Sequence, residues 1–127
     1  MTLHRPLARG ITLATVVSAL FVAGCASVGG TSGALAVGSE AEFEGRLESV
    51  DTAPWAYDGN ARLVVDTTAH GDVAVELPAR WNLCKAPAVG DAGAYSAGDR
   101  VRVVGTVTAA GTVTVCGQPS HRVTRLP

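Results

Sequence analysis

The chain has 127 residues, with 10 Lys and Arg against 11 Asp and Glu, for a formal net charge of −1. That length suits one domain, and no Lys/Arg cluster offers the basic face that electrostatic nucleic-acid binding requires. Apolar residues make up 47% of the chain, and all 11 acidic residues lie beyond the apolar run near its start.

Residues 1–24 divide as an export signal does. His4, Arg5 and Arg9 form a polar start with no acidic residue, and Ile11 to Ala23 is an uncharged run of 13 residues. A spanning helix needs about 18 or more apolar residues, so this run is short for one. A buried core helix would be amphipathic, whereas this run is apolar all round. A plain secretory signal cleaved after a small residue is the other alternative.

The run closes on Val22-Ala23-Gly24-Cys25, which resembles the lipobox of bacterial lipoproteins. The resemblance implies a signal peptide over 1–24, cut between Gly24 and Cys25. It also implies a diacylglycerol on the Cys25 sulfur and an N-acyl group on the freed amine, so the partner is a membrane held through lipid. The residue types fit: Ala23 and Gly24 are small enough for a narrow peptidase cleft, and only a thiol supplies the soft nucleophile for a thioether. One acyl chain binds a bilayer only marginally, with K of about 10⁴ M⁻¹, whereas two or three hold essentially permanently. In Gram-negative lipoproteins Asp after the cysteine is the usual inner-membrane retention signal. Ala26-Ser27 stands here, so the resemblance implies the cell envelope and, if Gram-negative, an outer membrane facing the periplasm. No cofactor is expected beyond the covalent lipid.

Residues 25–39 read as a lipidated tether, because Ser27 to Ser39 is rich in Gly, Ser and Ala and carries no charge. At about 5–6 Å × √n, such a stretch reaches roughly 20 Å. The folded domain is expected over 40–127. From Cys25 onward the chain has 8 basic and 11 acidic residues, a mildly acidic balance that also disfavours nucleic acid.

Five strands follow in order. Glu42 to Val50 alternates Phe43, Gly45 and Leu47 against Glu42, Glu44, Arg46 and Glu48. Ala61 to Thr68 sets Leu63 and Val65 against Arg62 and Asp66, and Asp72 to Leu77 sets Val73, Val75 and Leu77 against Asp72 and Glu76. Arg100 to Val107 and Thr112 to Cys116 repeat the pattern with valines, whose branched side chains suit a pleated surface. Asp58-Gly59-Asn60, His70-Gly71 and Ala110-Gly111 supply the turns. Between the third and fourth strands, Pro78 to Gly98 is expected to be irregular apart from a helical turn near Ala79 to Lys85.

Three strands, a long connection and a two-strand hairpin is the chain order of the OB-fold, a five-stranded Greek-key barrel. The run Gly98 to Val107 (GDRVRVVGTV) resembles the fourth strand of many OB-folds, including the small bacterial periplasmic OB-fold family. The fold class is therefore all-β, a small OB-like barrel, with a small β-sandwich as the alternative. Gly45 and Gly105 fall on inward faces, where a missing side chain permits sharp coiling.

Cys84 and Cys116 are an even pair in an exported domain and read as a disulfide. In an OB barrel the third and fifth strands are parallel neighbours, so these cysteines follow strand ends that point the same way. A copper or zinc site drawing on Cys84, Cys116, His70 and His121 is the alternative, but no CxxC spacing supports it.

Catalytic groups are scarce. No Gly-x-Ser-x-Gly elbow occurs. His70 reads as an exposed turn residue and His121 as a loop histidine, while Glu42, Glu44 and Glu48 share the solvated face of a strand. Trp55 and Tyr57 lie in the loop between strands one and two, which OB-folds use to grip ligands. Their flat faces suit sugar rings, aromatic ligands or a protein. Trp81 and Tyr95 are expected to plug the other opening of the barrel. The expected function is a lipid-anchored, non-enzymatic module binding a small ligand, a glycan or a protein. The alternatives are an accessory subunit of an envelope assembly and a metal-handling protein.

Overall fold

The computed structural model describes residues 34–89 and 91–127. The expected signal peptide, Cys25 and the expected tether as far as residue 33 lie outside the described residues. Among the described residues six strands form: β1 (Glu40–Asp51), β2 (Ala61–Thr67), β3 (Gly71–Leu77), β4 (Arg100–Ala109), β5 (Thr112–Thr114) and β6 (Arg122–Arg125). The sheet order is β1-β2-β3-β5-β4, and β1 pairs back onto β4 to close it. The result is a small five-stranded barrel with the expected OB-like order, in which β3 and β5 are parallel and the other neighbours antiparallel.

The alternation read from the sequence decides which side chains face in. Leu47, Leu63, Val75, Val101, Val113 and their strand-mates at every second position are buried in one core. The opposite face of β1 and β4 carries a solvent-exposed ladder in which Arg102 pairs with Glu44 and lies 3.9 Å from Glu42. Such exposed pairs favour the register but contribute little to stability.

Closure requires β1 to serve two neighbours, and two glycines allow it. A Cβ on Gly45 would lie 2.3 Å from the Asp66 carbonyl oxygen, and one on Gly105 would lie 2.7 Å from that of Thr114. Register shifts between Leu47 and Ser49 on β1, and between Val107 and Ala109 on β4, add the local twist that bulges supply.

One strand escaped the sequence reading. β6 is four residues long with a single buried side chain, Val123, so it carries almost no periodic signal. It pairs with β4 from Val101 to Val104, along the edge that the three-residue β5 is too short to reach. Residues 36–39, read as tether, are hydrogen-bonded here: Gly38 N–H donates to Val107 O at 2.7 Å, and Val107 N–H to Ser39 O at 2.8 Å.

Cys84 and Cys116 form the expected disulfide, closing a separation of 32 residues. By loop entropy such a bridge contributes about 3–4 kcal/mol, a large share of the total for a small domain. The Cys116 carbonyl also accepts from the Lys85 and Ala86 amides at 2.9 and 3.0 Å, so the start of the long connection is fixed to the end of β5.

The barrel thus has two ends. The entry end gathers residues 34–39, the β2–β3 turn and the β4–β5 turn; the far end gathers the β1–β2 loop and the β3–β4 connection. Substituting Gly45→Ala drives a methyl group into a backbone carbonyl, and we expect a loss of about 1–3 kcal/mol. Urea denaturation of the variant, with disulfide intact, measures it.

Candidate functional site

The β1–β2 loop is short and begins with a 3₁₀ turn over Ala53–Tyr57, with Pro54 in its first turn and Asp58 closing it in a left-handed conformation (φ 60°). Asp and Asn tolerate that region better than most residues. The turn points Trp55 inward and Tyr57 outward. The Trp55 indole N–H donates to the Leu77 carbonyl at 2.9 Å, whereas Tyr57 is 88% exposed.

The β3–β4 connection leaves from Leu77, at the same end. A 3₁₀ turn over Trp81–Leu83, close to the expected helical turn, lays Trp81 beside Trp55. Pro78, Ala79, Ala88 and Val89 complete a pocket of about 210 Å³ lined by no charged residue. Arg80 donates to the Asp58 carboxylate at 3.0 Å, clasping the two loops together across its rim.

One expectation is corrected here. Trp81 and Tyr95 do not plug the opposite opening, because the connection that carries them starts where the β1–β2 loop ends. Trp81 joins Trp55, while the Tyr95 hydroxyl donates to the Val123 carbonyl at 3.2 Å and its ring lies under Arg125. Burial is the main reason the Tyr95 phenol is held above its usual pKa. Of the two loop aromatics expected to grip a ligand, the structure brings Trp55 to the pocket and leaves Tyr57 outside it.

The histidines also sit differently from the sequence reading. The His70 ring is half-buried and meets Phe43 edge to face, with centroids 6.3 Å apart. Its Nδ1 is buried without a hydrogen-bond partner among the described residues. His121 is fully buried, not an open loop residue. Its Nδ1 accepts from the Cys116 amide at 3.2 Å, which leaves the ring proton on Nε2 to be donated to Glu40 at 2.7 Å. Both ring nitrogens are thereby engaged inside the structure. With Cys84 and Cys116 bridged, the metal-handling alternative also loses its thiolates, and the described residues hold no group of three or more His, Cys, Asp or Glu fit to bind a metal ion.

Nothing in the sequence pattern marked the partners of Glu40, because they lie 66 and 81 positions away. Its carboxylate accepts from the Thr106 hydroxyl at 2.7 Å as well as from His121. These two hydrogen bonds, that from Thr106 first, hold its pKa below the ordinary carboxylate value of 4.5.

Both features are testable. A depressed carboxylate pKa contributes stability that is present above the ordinary value and lost as pH falls through the folded one. Glu40→Gln should therefore lower the urea midpoint at neutral pH, and the difference should shrink as pH drops below 4.5. At the pocket, the Trp81 indole nitrogen is buried with no partner among the described residues, while that of Trp55 is bonded. Trp55→Phe should cost about 1 kcal/mol more than Trp81→Phe in thermal or chemical unfolding, because only the former loses a satisfied donor.

No family model, no curated protein and no solved structure matches this chain.

Proposed function

We propose that this chain is a lipid-anchored lipoprotein of the cell envelope, held through Cys25, whose barrel is a non-enzymatic binding module. Its site is the far-end pocket between Trp55 and Trp81. The observation that carries the reading is the convergence of both tryptophans of the chain on one uncharged pocket. Indole faces bind flat rings through apolar contact and stacking, and their rigidity limits the entropy lost on binding. A volume of about 210 Å³ equals about seven water molecules, so it suits one ring: a small aromatic compound, a sugar residue, or a side chain of a partner protein. The export signal and lipobox support the compartment, and the disulfide fits an oxidising one.

A second reading, an accessory subunit of an envelope assembly, is favoured by one observation. Tyr57 and Leu83, on the two loops that form the pocket, are 88% and 72% exposed. Large apolar side chains left in water beside a pocket are a common mark of a protein-binding surface.

Intrinsic fluorescence tests the first reading directly, since both indoles line the pocket. Titration with small aromatic compounds and envelope glycans should give a saturable change in emission with one of them. Ala79→Leu, which fills the pocket and leaves both indoles in place, should abolish it. The reading fails if no compound perturbs the emission up to millimolar concentration and Trp55→Ala leaves every detected interaction of the protein intact.

A further inference from the structure

The entry end of the barrel has a different chemistry from the pocket end. Three segments meet there around a shallow concavity of about 340 Å³ lined by Ala34, Leu35, Ala69, His70, Val73, Ala110 and Gly111. The segments are residues 34–39 (ALAVGS), 67–71 (TTAHG) and 108–112 (TAAGT), and none of their residues is an Asp, Glu, Lys or Arg. Val37 stands 65% exposed among them, and Leu35 is packed against the core. By contrast the loops of the far end carry Asp58, Arg80, Lys85, Asp91 and Asp99.

We propose that this uncharged end is a membrane-docking face, and that it rests on the zwitterionic lipid surface to which the Cys25 lipid tethers the chain; this builds on the lipid-anchor reading above. Chain length argues for that occupant. Ala34, at the edge of the concavity, follows Cys25 by only nine residues, and at 3.3–3.6 Å per residue these span at most about 30 Å. The described chain enters the barrel at this end and no other, so the tethered surface meets this end first. A face held that close to a surface works at a high effective concentration, and even a weak contact is then populated.

Electrostatics selects the headgroup. The first charges behind the face are carboxylates. Asp66 and Asp72 are directly opposed across β2 and β3 and both exposed, and the Glu40 side chain is 54% exposed. Arg46 stands opposite Asp66 across β1 and β2 but gives its guanidinium to the Gly98 carbonyl at 2.7 Å. The residues that directly flank the face in the chain, Glu40, Asp66 and Asp72, therefore leave it a net negative border that repels anionic headgroups and tolerates zwitterionic ones. Docked in this way, the barrel holds the indole pocket on the aqueous side, where a ligand or partner can reach it.

The test uses the mature lipidated protein in phosphatidylcholine vesicles containing acyl-brominated lipid. A fluorophore is placed at Ala110→Cys in one sample and at Tyr57→Cys in another; the native disulfide and the thioether at Cys25 are not labelled. Docking predicts that the label at position 110 is quenched by brominated lipid several-fold more than the label at position 57. Adding Val37→Glu should remove that quenching while the protein still floats with the vesicles and melts as before. Replacing part of the lipid with phosphatidylglycerol should reduce it. Equal quenching of the two labels on vesicles that carry the protein would overturn the docking face and leave the lipid anchor standing. Absence of acyl mass on Cys25 together with loss of flotation would overturn the anchor, and docking with it. Shielding of the label at position 110 from aqueous iodide without vesicles would mean that a second copy covers this face, which also overturns the proposal.

Discussion

The close approach of β1 and β2 at Gly45 is the constraint on which the rest depends. β1 must offer one edge to β2 and the other to β4, and a flat strand of twelve residues cannot turn its two halves toward different neighbours. With no Cβ at Gly45, the Asp66 carbonyl can lie over the strand where any side chain would collide. The barrel closes as a result, and closure brings the β1–β2 loop and the start of the β3–β4 connection to the same end. The indole pocket follows from that placement.

A second set of contacts holds the connection in place and runs along the barrel from one end toward the other. Cys116 is its junction: its sulfur bonds Cys84, its carbonyl accepts two amides of the connection, and its own amide donates to His121. His121 donates to Glu40, which also accepts from Thr106. Every polar atom of the buried imidazole is thus satisfied, the condition under which a buried polar group rigidifies a small core without destabilising it. Oxidation state and the protonation of Glu40 therefore act on the same network.

The division of chemistry between the two ends gives the molecule a direction. Charged loop residues, an ion-paired clasp and the exposed Tyr57 and Leu83 gather at the far end, while the three segments at the end that the chain enters are uncharged and expose Val37. The asymmetry suits the proposed tethered binding module, in which one end would tolerate the surface it is tied to and the other would remain open to a ligand.

Much of this was legible from residue order. Alternation in β1 to β5 sorted inner from outer side chains correctly, because the period of two is a local property that burial on one face leaves in the sequence. The Cys84–Cys116 bridge followed from the even cysteine pair together with the parallel placement of β3 and β5. The five-stranded order was what the OB-fold resemblance implied, a resemblance carried by the spacing of turns and the one long connection. What escaped was whatever depends on residues far apart in the chain. β6 is too short to show a period and exists because β5 leaves part of the β4 edge unpaired. His121 looked like a loop residue because its Pro-Ser neighbours are turn formers, yet the fold buries it against Glu40. Trp81 joined Trp55, not the opposite opening, because the end from which a connection departs is set by the direction of its strand. The sequence by itself determined β1 to β5, their faces, the bridge and the lipobox resemblance at Cys25. Only the tertiary structure decided which loops share an end, since barrel closure, not chain proximity, brings their side chains together.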